Sequence, residues 1–147
     1  MIKSILVPID GSKHSKQALG FACELANKFD ASLHLLHIVH DAPGGHSMAL
    51  GAAAVYYQPD RDIIEKAARS VLDAALEFAS EKGFDSASTQ FETRSVVSEI
   101  LRLANSDKYD TIIMGSRGLS DLAGLFMGSV SHQISHHAHC NCIFVRN

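Results

Sequence analysis

Residues 4–12, SILVPIDGS, decide the fold class, because a continuous apolar run ends there in a sharp turn. Residues 5–9 are all apolar and leave no polar face, which is typical of a strand buried on both sides of a sheet. Asp10, Gly11 and Ser12 are turn residues. The segment beyond them carries apolar residues at helical spacing, and we expect Ser15 to cap that helix. The stretch therefore predicts a buried strand over residues 3–9 that leads into an amphipathic helix.

The same alternation of apolar strand and amphipathic helix continues along the chain. Further strands are predicted at residues 33–39, 86–93, 111–114 and 142–145. Further helices are predicted at residues 60–82, around 97–104 and from about Ser129. The strand at 86–93 alternates polar and apolar residues, which favours a position at the sheet edge. This order predicts a single α/β domain over residues 1–147, with a parallel sheet between two helical layers.

Composition narrows the classes of partner. The net charge of −3, from 13 basic and 16 acidic residues, argues against a general nucleic-acid binder. Three cysteines favour a reducing compartment rather than a disulfide scaffold. No stretch reaches the roughly 18 apolar residues of a membrane span, and the opening residues do not form a secretory signal. We therefore expect a cytoplasmic protein that associates with neither nucleic acid nor membrane. An uncharged stretch at residues 42–59 contains glycines and prolines and is predicted to be a loop.

The strands also predict where a ligand would bind. In open parallel sheets, ligands sit beyond the carboxyl ends of the strands, where the strand order reverses. The first and fourth strands are the most apolar, and both end in unusual loops, at residues 8–12 and 115–118. If these two strands are neighbours, the loops face each other across one crevice.

Three glycines frame the second loop. Gly115 and Gly118 are followed, after nine intervening residues, by Gly128 and Ser129, a spacing of G-x2-G-x9-G-S. Glycines let backbone N–H groups approach an anion, and a helix beginning near Ser129 would direct its positive end at a phosphate. Neither the P-loop nor the G-x-G-x-x-G fingerprint is present. From spacing alone, a phosphate site and a plain turn remain open alternatives.

The chain resembles the universal stress protein family over essentially its whole length, in the ATP-binding branch. The resemblance is carried by residues 5–12 and 35–39, by DTIIMGSRG at 110–118 and by GSVS at 128–131. It implies a Rossmann-like, five-stranded parallel sheet of order 3-2-1-4-5, a homodimer and a bound adenine nucleotide. The residues it implies around the nucleotide are Pro8, Ile9, Asp10, Ile38, Met114, Gly115, Gly118, Gly128, Ser129 and Val130.

Roles within this set follow from the resemblance. Pro8, Ile9 and Asp10 would lie beside adenine and ribose, and the backbone of Ile38 would meet the adenine edge. Met114, Gly115 and Gly118 would line the ribose and phosphates, and residues 128–130 would hold the phosphates. A Mg²⁺ or Mn²⁺ ion would be held by the phosphates and water.

Two of the candidate residues have other interpretations. Arg117 is the only cation between Gly115 and Gly128 and could reach a phosphate, or it could be a solvated loop arginine. Asp10 could instead be a turn residue that satisfies backbone N–H groups.

The function expected is an ATP-binding stress-response or regulatory module, with hydrolysis slow or absent. Asp10 is the only carboxylate that we can assign to the crevice, and it lies on the adenosine side, far from where water would attack a γ-phosphate. We expect a homodimer through the final strand and an unidentified regulatory protein partner. The uncharged segment 42–59 could fold over the nucleotide, pack at an interface or remain a surface loop.

Two alternative functions remain. The first is a dedicated ATP-hydrolysing enzyme. The second is a metal-binding protein, because histidine and cysteine side chains crowd the C-terminal region. That cluster comprises His132, His136, His137, His139, Cys140 and Cys142.

Overall fold

The structure is a computed structural model. It describes residues 2–40, 46–50, 53–57, 60–106, 108–119 and 127–146. In chain order the elements are β1 (Ser4–Ile9), α1 (Lys13–Phe29), β2 (Ser32–His40), β3 (His46–Leu50), β4 (Ala53–Tyr57), α2 (Arg61–Glu81), β5 (Ser88–Arg94), α3 (Val96–Ala104), β6 (Thr111–Gly115), α4 (Ser129–His137) and β7 (Asn141–Val145). Within these residues, no helix is long and apolar enough to cross a membrane.

Five of the strands form one parallel sheet, in the order β5-β2-β1-β6-β7. Numbering only the strands of this sheet gives 3-2-1-4-5, so the predicted strand order is confirmed. β1 pairs with β2 along its whole length, from Ser4 opposite Ser32 to Ile9 opposite His37. Its pairing with β6 covers only Ile5 with Thr111 and Leu6 with Ile112. The two central strands therefore separate toward their carboxyl ends, at the point where the strand order reverses.

The sheet separates two apolar layers, because side chains alternate between its faces. Ile5 and Val7 of β1 pack in one core cluster with residues of α1 and α2. Leu6 points the other way and packs with Ile100 of α3 and Ile134 of α4. All five side chains are buried, and each such burial stabilises the fold by about 1.5–3 kcal/mol. This is the arrangement of helix, sheet and helix that the sequence predicts.

The start of α1 differs from the prediction. Ser12 is the N-cap residue, and its hydroxyl oxygen accepts the N–H of Ser15 at 3.1 Å. Ser15 lies inside the helix, where its own hydroxyl donates to the Ser12 carbonyl at 2.9 Å. The prediction that Ser15 caps the helix was therefore wrong. The first turn begins with the polar residues Lys13 and His14, so apolar periodicity does not show that the helix has already begun. Cys23, on the same helix, is buried in the core.

The prediction of a loop at 42–59 was also wrong for its described parts. β3 and β4 pair antiparallel, from His46 opposite Tyr57 to Leu50 opposite Ala53. The glycines and prolines that favoured a loop lie at 43–45, 51 and 59, outside the described residues. Two extended, uncharged segments satisfy each other's backbone hydrogen bonds when they pair, and this favours a hairpin.

Candidate functional site

A cavity of about 550 Å³ opens where β1 and β6 separate. Its lining residues are Pro8, Ile9, Asp10, Ser15, Leu36, Ile38, Val96, Ile100, Met114, Gly115, Arg117, Gly118, Leu119, Gly128, Ser129, Val130 and Ser131. Every residue that the sequence marks as a candidate site residue is in this set. The structure thus brings the two predicted loops, Ile38 and the start of α4 to one cavity.

The carboxylate of Asp10 ties the two loops together. Its Oδ1 accepts the N–H of Ser12 at 2.9 Å, and its Oδ2 accepts the N–H of Leu119 at 3.1 Å. Burial disfavours the charged carboxylate, but the hydrogen bonds from Ser12, Ser15 and Leu119 outweigh it and hold the pKa of Asp10 below its usual 3.8. Asp10 therefore stays ionised at neutral pH. It satisfies backbone N–H groups, as the turn interpretation expects, while it lines the cavity.

The glycines at 115 and 118 are required by close packing. A Cβ atom at Gly118 would lie 2.7 Å from Oδ2 of Asp10. A Cβ atom at Gly115 would lie 2.9 Å from both the Cβ of His14 and the carbonyl oxygen of Arg117. Such distances are too short for a real side chain, so only glycine lets α1 and Asp10 approach the loop this closely.

Two hydrogen bonds hold the ends of the glycine loop. The N–H of Gly128 donates to the carbonyl of Ser116 at 2.8 Å. The hydroxyl of Ser131, a buried residue, donates to the carbonyl of Gly115 at 3.0 Å. The start of α4 is thus fixed against the end of β6, although the chain between them runs through residues 120–126, which lie outside the described residues.

The start of α4 presents backbone N–H groups to the cavity. Gly128 is the N-cap residue, and among the described residues no side chain caps the helix. Ser129 and Val130 form the first turn and line the cavity. A helix N-terminus carries a partial positive charge and unsatisfied N–H groups, and together these favour an anion. The guanidinium-bearing residue Arg117 lines the same side and adds positive charge.

Another part of the cavity lining is apolar. Leu36 and Ile38 of β2 form it with Val96 and Ile100 of α3 and Met114 of β6. Sequence reasoning missed both α3 residues and Leu36. Their apolar periodicity marks them as core residues, and nothing in it indicates that they also line a cavity. Ser131 was missed as well, although the sequence marks it as the last residue of the GSVS run that carries the family resemblance.

The histidines and cysteines of the C-terminal region do not come together as one cluster. Across the described residues, no three His, Cys, Asp or Glu side chains are arranged to hold a metal ion. Burial raises the pKa of both thiols in this region, and that of Cys142 reaches about 11. Protonated thiols are weak metal ligands. The combined histidine and cysteine site therefore lacks geometric support.

The fold and the site define an open parallel α/β domain with a glycine-framed cavity where the strand order reverses. The model of the universal stress protein family matches residues 1–146. The universal stress protein YxiE of Bacillus subtilis is 35% identical to this chain, over 99% of the chain and 100% of YxiE. The chain belongs to the universal stress protein family, and the resemblance seen in its sequence is confirmed.

Solved structures share this fold. A universal stress protein from Archaeoglobus fulgidus, solved in complex with dAMP, superposes with a TM-score of 0.68 at 19% identity, covering 99% of this chain and 98% of that one. A family member from Arabidopsis thaliana with AMP bound gives a TM-score of 0.65 at 18% identity, covering 99% and 92%. At these identities the likeness establishes the architecture.

Proposed function

We propose that this chain is an adenine-nucleotide-binding module that takes ATP and acts by binding rather than by turnover. The observation that carries the proposal is the convergence of all the predicted site residues on one cavity. One part of that cavity lining is apolar, and another part is the N-terminus of α4. The nucleotides bound to the two solved relatives, dAMP and AMP, have this same division into an aromatic base and an anionic group.

The cavity suits such a ligand in size and in chemistry. A volume of about 550 Å³ lies within the roughly 300–1,000 Å³ of small-molecule sites. The base would pack against Ile38, Val96 and Ile100, and the ribose would lie near Asp10. The phosphates would meet the N–H groups at the start of α4. Because the chain has a net charge of −3, these backbone groups and Arg117 supply the local positive potential. A Mg²⁺ or Mn²⁺ ion would be held by the phosphates and water.

A module that binds without fast hydrolysis fits the position of Asp10. Its carboxylate already accepts two backbone hydrogen bonds, from Ser12 and Leu119, and the proposal assigns it to the ribose. Phosphoryl transfer needs a group that orients the attacking water at the γ-phosphate, and the proposal gives Asp10 the ribose instead. Many turnovers per minute, lost in Asp10→Ala or Ser129→Ala, would instead favour the dedicated ATP-using enzyme.

Assembly and cellular role follow from the same proposal. β7 lies at the edge of the sheet, and its Ile143 and Phe144 are half-buried in the single chain. An exposed parallel edge invites pairing with another strand, and the same edge of a second copy would supply it about a two-fold axis. The homodimer would act in the cytoplasm, where bound nucleotide sets the conformation offered to a regulatory protein. A monomeric mass by light scattering at micromolar concentration would contradict the dimer.

Binding is tested by calorimetric titration of the full-length protein with ATP, AMP and GTP. We expect ATP to bind most tightly and GTP at least about tenfold more weakly, because a hydrogen-bonding site rejects a base with the wrong edge. Gly128→Ala should weaken ATP binding and cost no more than about 1 kcal/mol of unfolding free energy, since alanine is a poorer N-cap of α4 than glycine. The added Cβ at position 128 would lie 3.4 Å from the Cα of Arg117, which is ordinary van der Waals contact. It would stand between the glycine loop and the start of α4, the two segments that the proposal assigns to the phosphates.

Gly20→Ala is the matched control. Its Cβ would meet only the ring of Phe78, at 3.7 Å, on a helix face outside the cavity. ATP should therefore bind this variant as it binds the unaltered chain. Equal ATP and GTP affinities, or Gly128→Ala binding ATP normally, would contradict the assignment of the site. Mass spectrometry of the ligand released by heating the purified protein identifies the nucleotide that it carries from the cell.

A further inference from the structure

Two histidines on α4 lie side by side and have no role in the proposed nucleotide site. His132 and His136 are one helical turn apart, and their ring centroids are 4.6 Å apart with the planes tilted by 58°. Both side chains are exposed, and neither lines the cavity. Histidines four residues apart on one helix face are the arrangement that binds zinc in H-E-x-x-H helices.

The separation of the rings matches that of two ligands on one metal ion. A metal–nitrogen bond is about 2.0–2.1 Å, and the ring centroid lies about 1.1 Å behind the bonding nitrogen. Two imidazoles at an angle of about 90° would then have centroids about 4.5 Å apart, and at a tetrahedral angle about 5.2 Å. The observed 4.6 Å corresponds to adjacent corners of a square or an octahedron.

We propose that His132 and His136 form a chelating site for a divalent late transition metal, Cu²⁺ or Ni²⁺, with water in the remaining positions. Imidazole suits both ions, and square or tetragonal nitrogen sites are characteristic of them. Because neither histidine belongs to the cavity, this site is independent of the nucleotide site.

The surroundings limit the site to these two protein ligands. His137 is the next residue, but its Nδ1 already contacts the Gln133 carbonyl at 2.9 Å, and its ring centroid is 6.4 Å from that of His136. Cys142 is kept protonated by its raised pKa of about 11. Of the described side chains, no three potential ligands come together. Water-filled positions leave the bound ion open to a further ligand.

Calorimetric titration of the tag-free, full-length protein with Ni²⁺ tests the site without oxidising its thiols. We expect saturable binding of one Ni²⁺ per chain. The Ni²⁺ affinity should fall at least about tenfold in His132→Ala and in His136→Ala, because loss of a residue that only supports a metal ligand already lowers metal affinity by about that factor. His137→Ala is the matched control from the same exposed turn, and its affinity should stay within about twofold. Both ligand positions are exposed, so the variants should unfold at the temperature of the unaltered chain.

Electron paramagnetic resonance of the Cu²⁺-loaded protein gives a second readout. The unaltered chain should show hyperfine splitting from two imidazole nitrogens, and either single variant from fewer. Nickel binding that is unchanged in His136→Ala, or reduced equally in His137→Ala, would overturn the proposal. The ATP affinity of His132→Ala separates this proposal from the nucleotide proposal. Because His132 does not line the cavity, His132→Ala should bind ATP as the unaltered chain does, whatever the result of the metal titration.

Discussion

The carboxylate of Asp10 accepts the backbone N–H of Leu119 at 3.1 Å, across 109 positions of sequence. This bond joins the end of β1 to the glycine loop that follows β6. It also explains the neighbouring glycine, because any side chain at position 118 would meet the same carboxylate oxygen. The two loops of the cavity are therefore held in one arrangement before any ligand binds.

Gly118→Ala should destabilise the protein and weaken nucleotide binding together. The added Cβ would lie 2.7 Å from Oδ2 of Asp10, so either the loop or the carboxylate must move. Overpacking of this kind costs about 1–3 kcal/mol of unfolding free energy. Urea unfolding measures the cost.

Gly20→Ala again serves as the control for that experiment. It adds a methyl group in ordinary van der Waals contact with the ring of Phe78, in the interior of α1, and should stabilise the protein by about 0.5–1 kcal/mol. Gly118→Ala with unaltered stability would show that the Asp10 contact does not constrain the loop.

Removal of the cap of α1 distinguishes the two serines at its start. Ser12→Ala should cost about 1 kcal/mol, because the Ser15 N–H loses its acceptor. Ser15→Ala should cost less than about 0.5 kcal/mol, since the Ser12 carbonyl keeps the N–H of Lys16 as a donor at 3.1 Å. Chemical denaturation of both variants makes the comparison, and a larger loss in Ser15→Ala would restore Ser15 as the cap.

The stability of the protein should fall at acid pH in part through Glu99. This carboxylate is only 1% exposed, and it accepts hydrogen bonds from Nε of Arg102 at 2.9 Å and from Nη2 of the same residue. These bonds hold the pKa of Glu99 below its usual 4.5. The stabilisation is therefore fully present above about pH 4.5 and is lost as the pH falls through the lower pKa of the folded state.

Glu99→Gln should consequently lower the unfolding free energy at pH 7 by about 1–3 kcal/mol and flatten its decline below pH 4.5. Glu65→Gln is the matched control, because the Glu65–Arg69 pair is exposed and such pairs contribute about 0–1 kcal/mol. Thermal unfolding at a series of pH values compares the two. Equal acid sensitivity of Glu99→Gln and the unaltered chain would contradict the assignment.

The thiol of Cys142 should react slowly with alkylating agents. Its pKa of about 11 leaves far less thiolate at pH 7.5 than a free cysteine has. Against a free thiol of pKa about 8.5, this predicts a rate lower by a factor on the order of 100. Iodoacetamide labelling of the folded protein, read peptide by peptide in mass spectrometry, measures the rate. A rate near that of free cysteine would show that burial does not control this thiol.

Local patterns carried most of the prediction of the fold. The continuous apolar runs of β1 and β6, and the helical spacing between strands, are properties of a few adjacent residues, and they were enough to predict a parallel sheet between helices. The family resemblance added the strand order. The failures were local too: the cap of α1 was assigned three residues late, and the β3–β4 hairpin was taken for a loop because its glycines and prolines outweighed its apolar residues.

The sequence by itself determined the alternation of strands and helices and the glycine spacing of the candidate site, because both depend on short-range periodicity and backbone geometry. Only the tertiary structure decided which residues meet. The early end of β1–β6 pairing opens the cavity, the start of α3 directly after β5 brings Val96 and Ile100 into it, and the fold joins Asp10 to Leu119. These contacts depend on register and on helix position above the sheet, which arise from the packing of the whole chain.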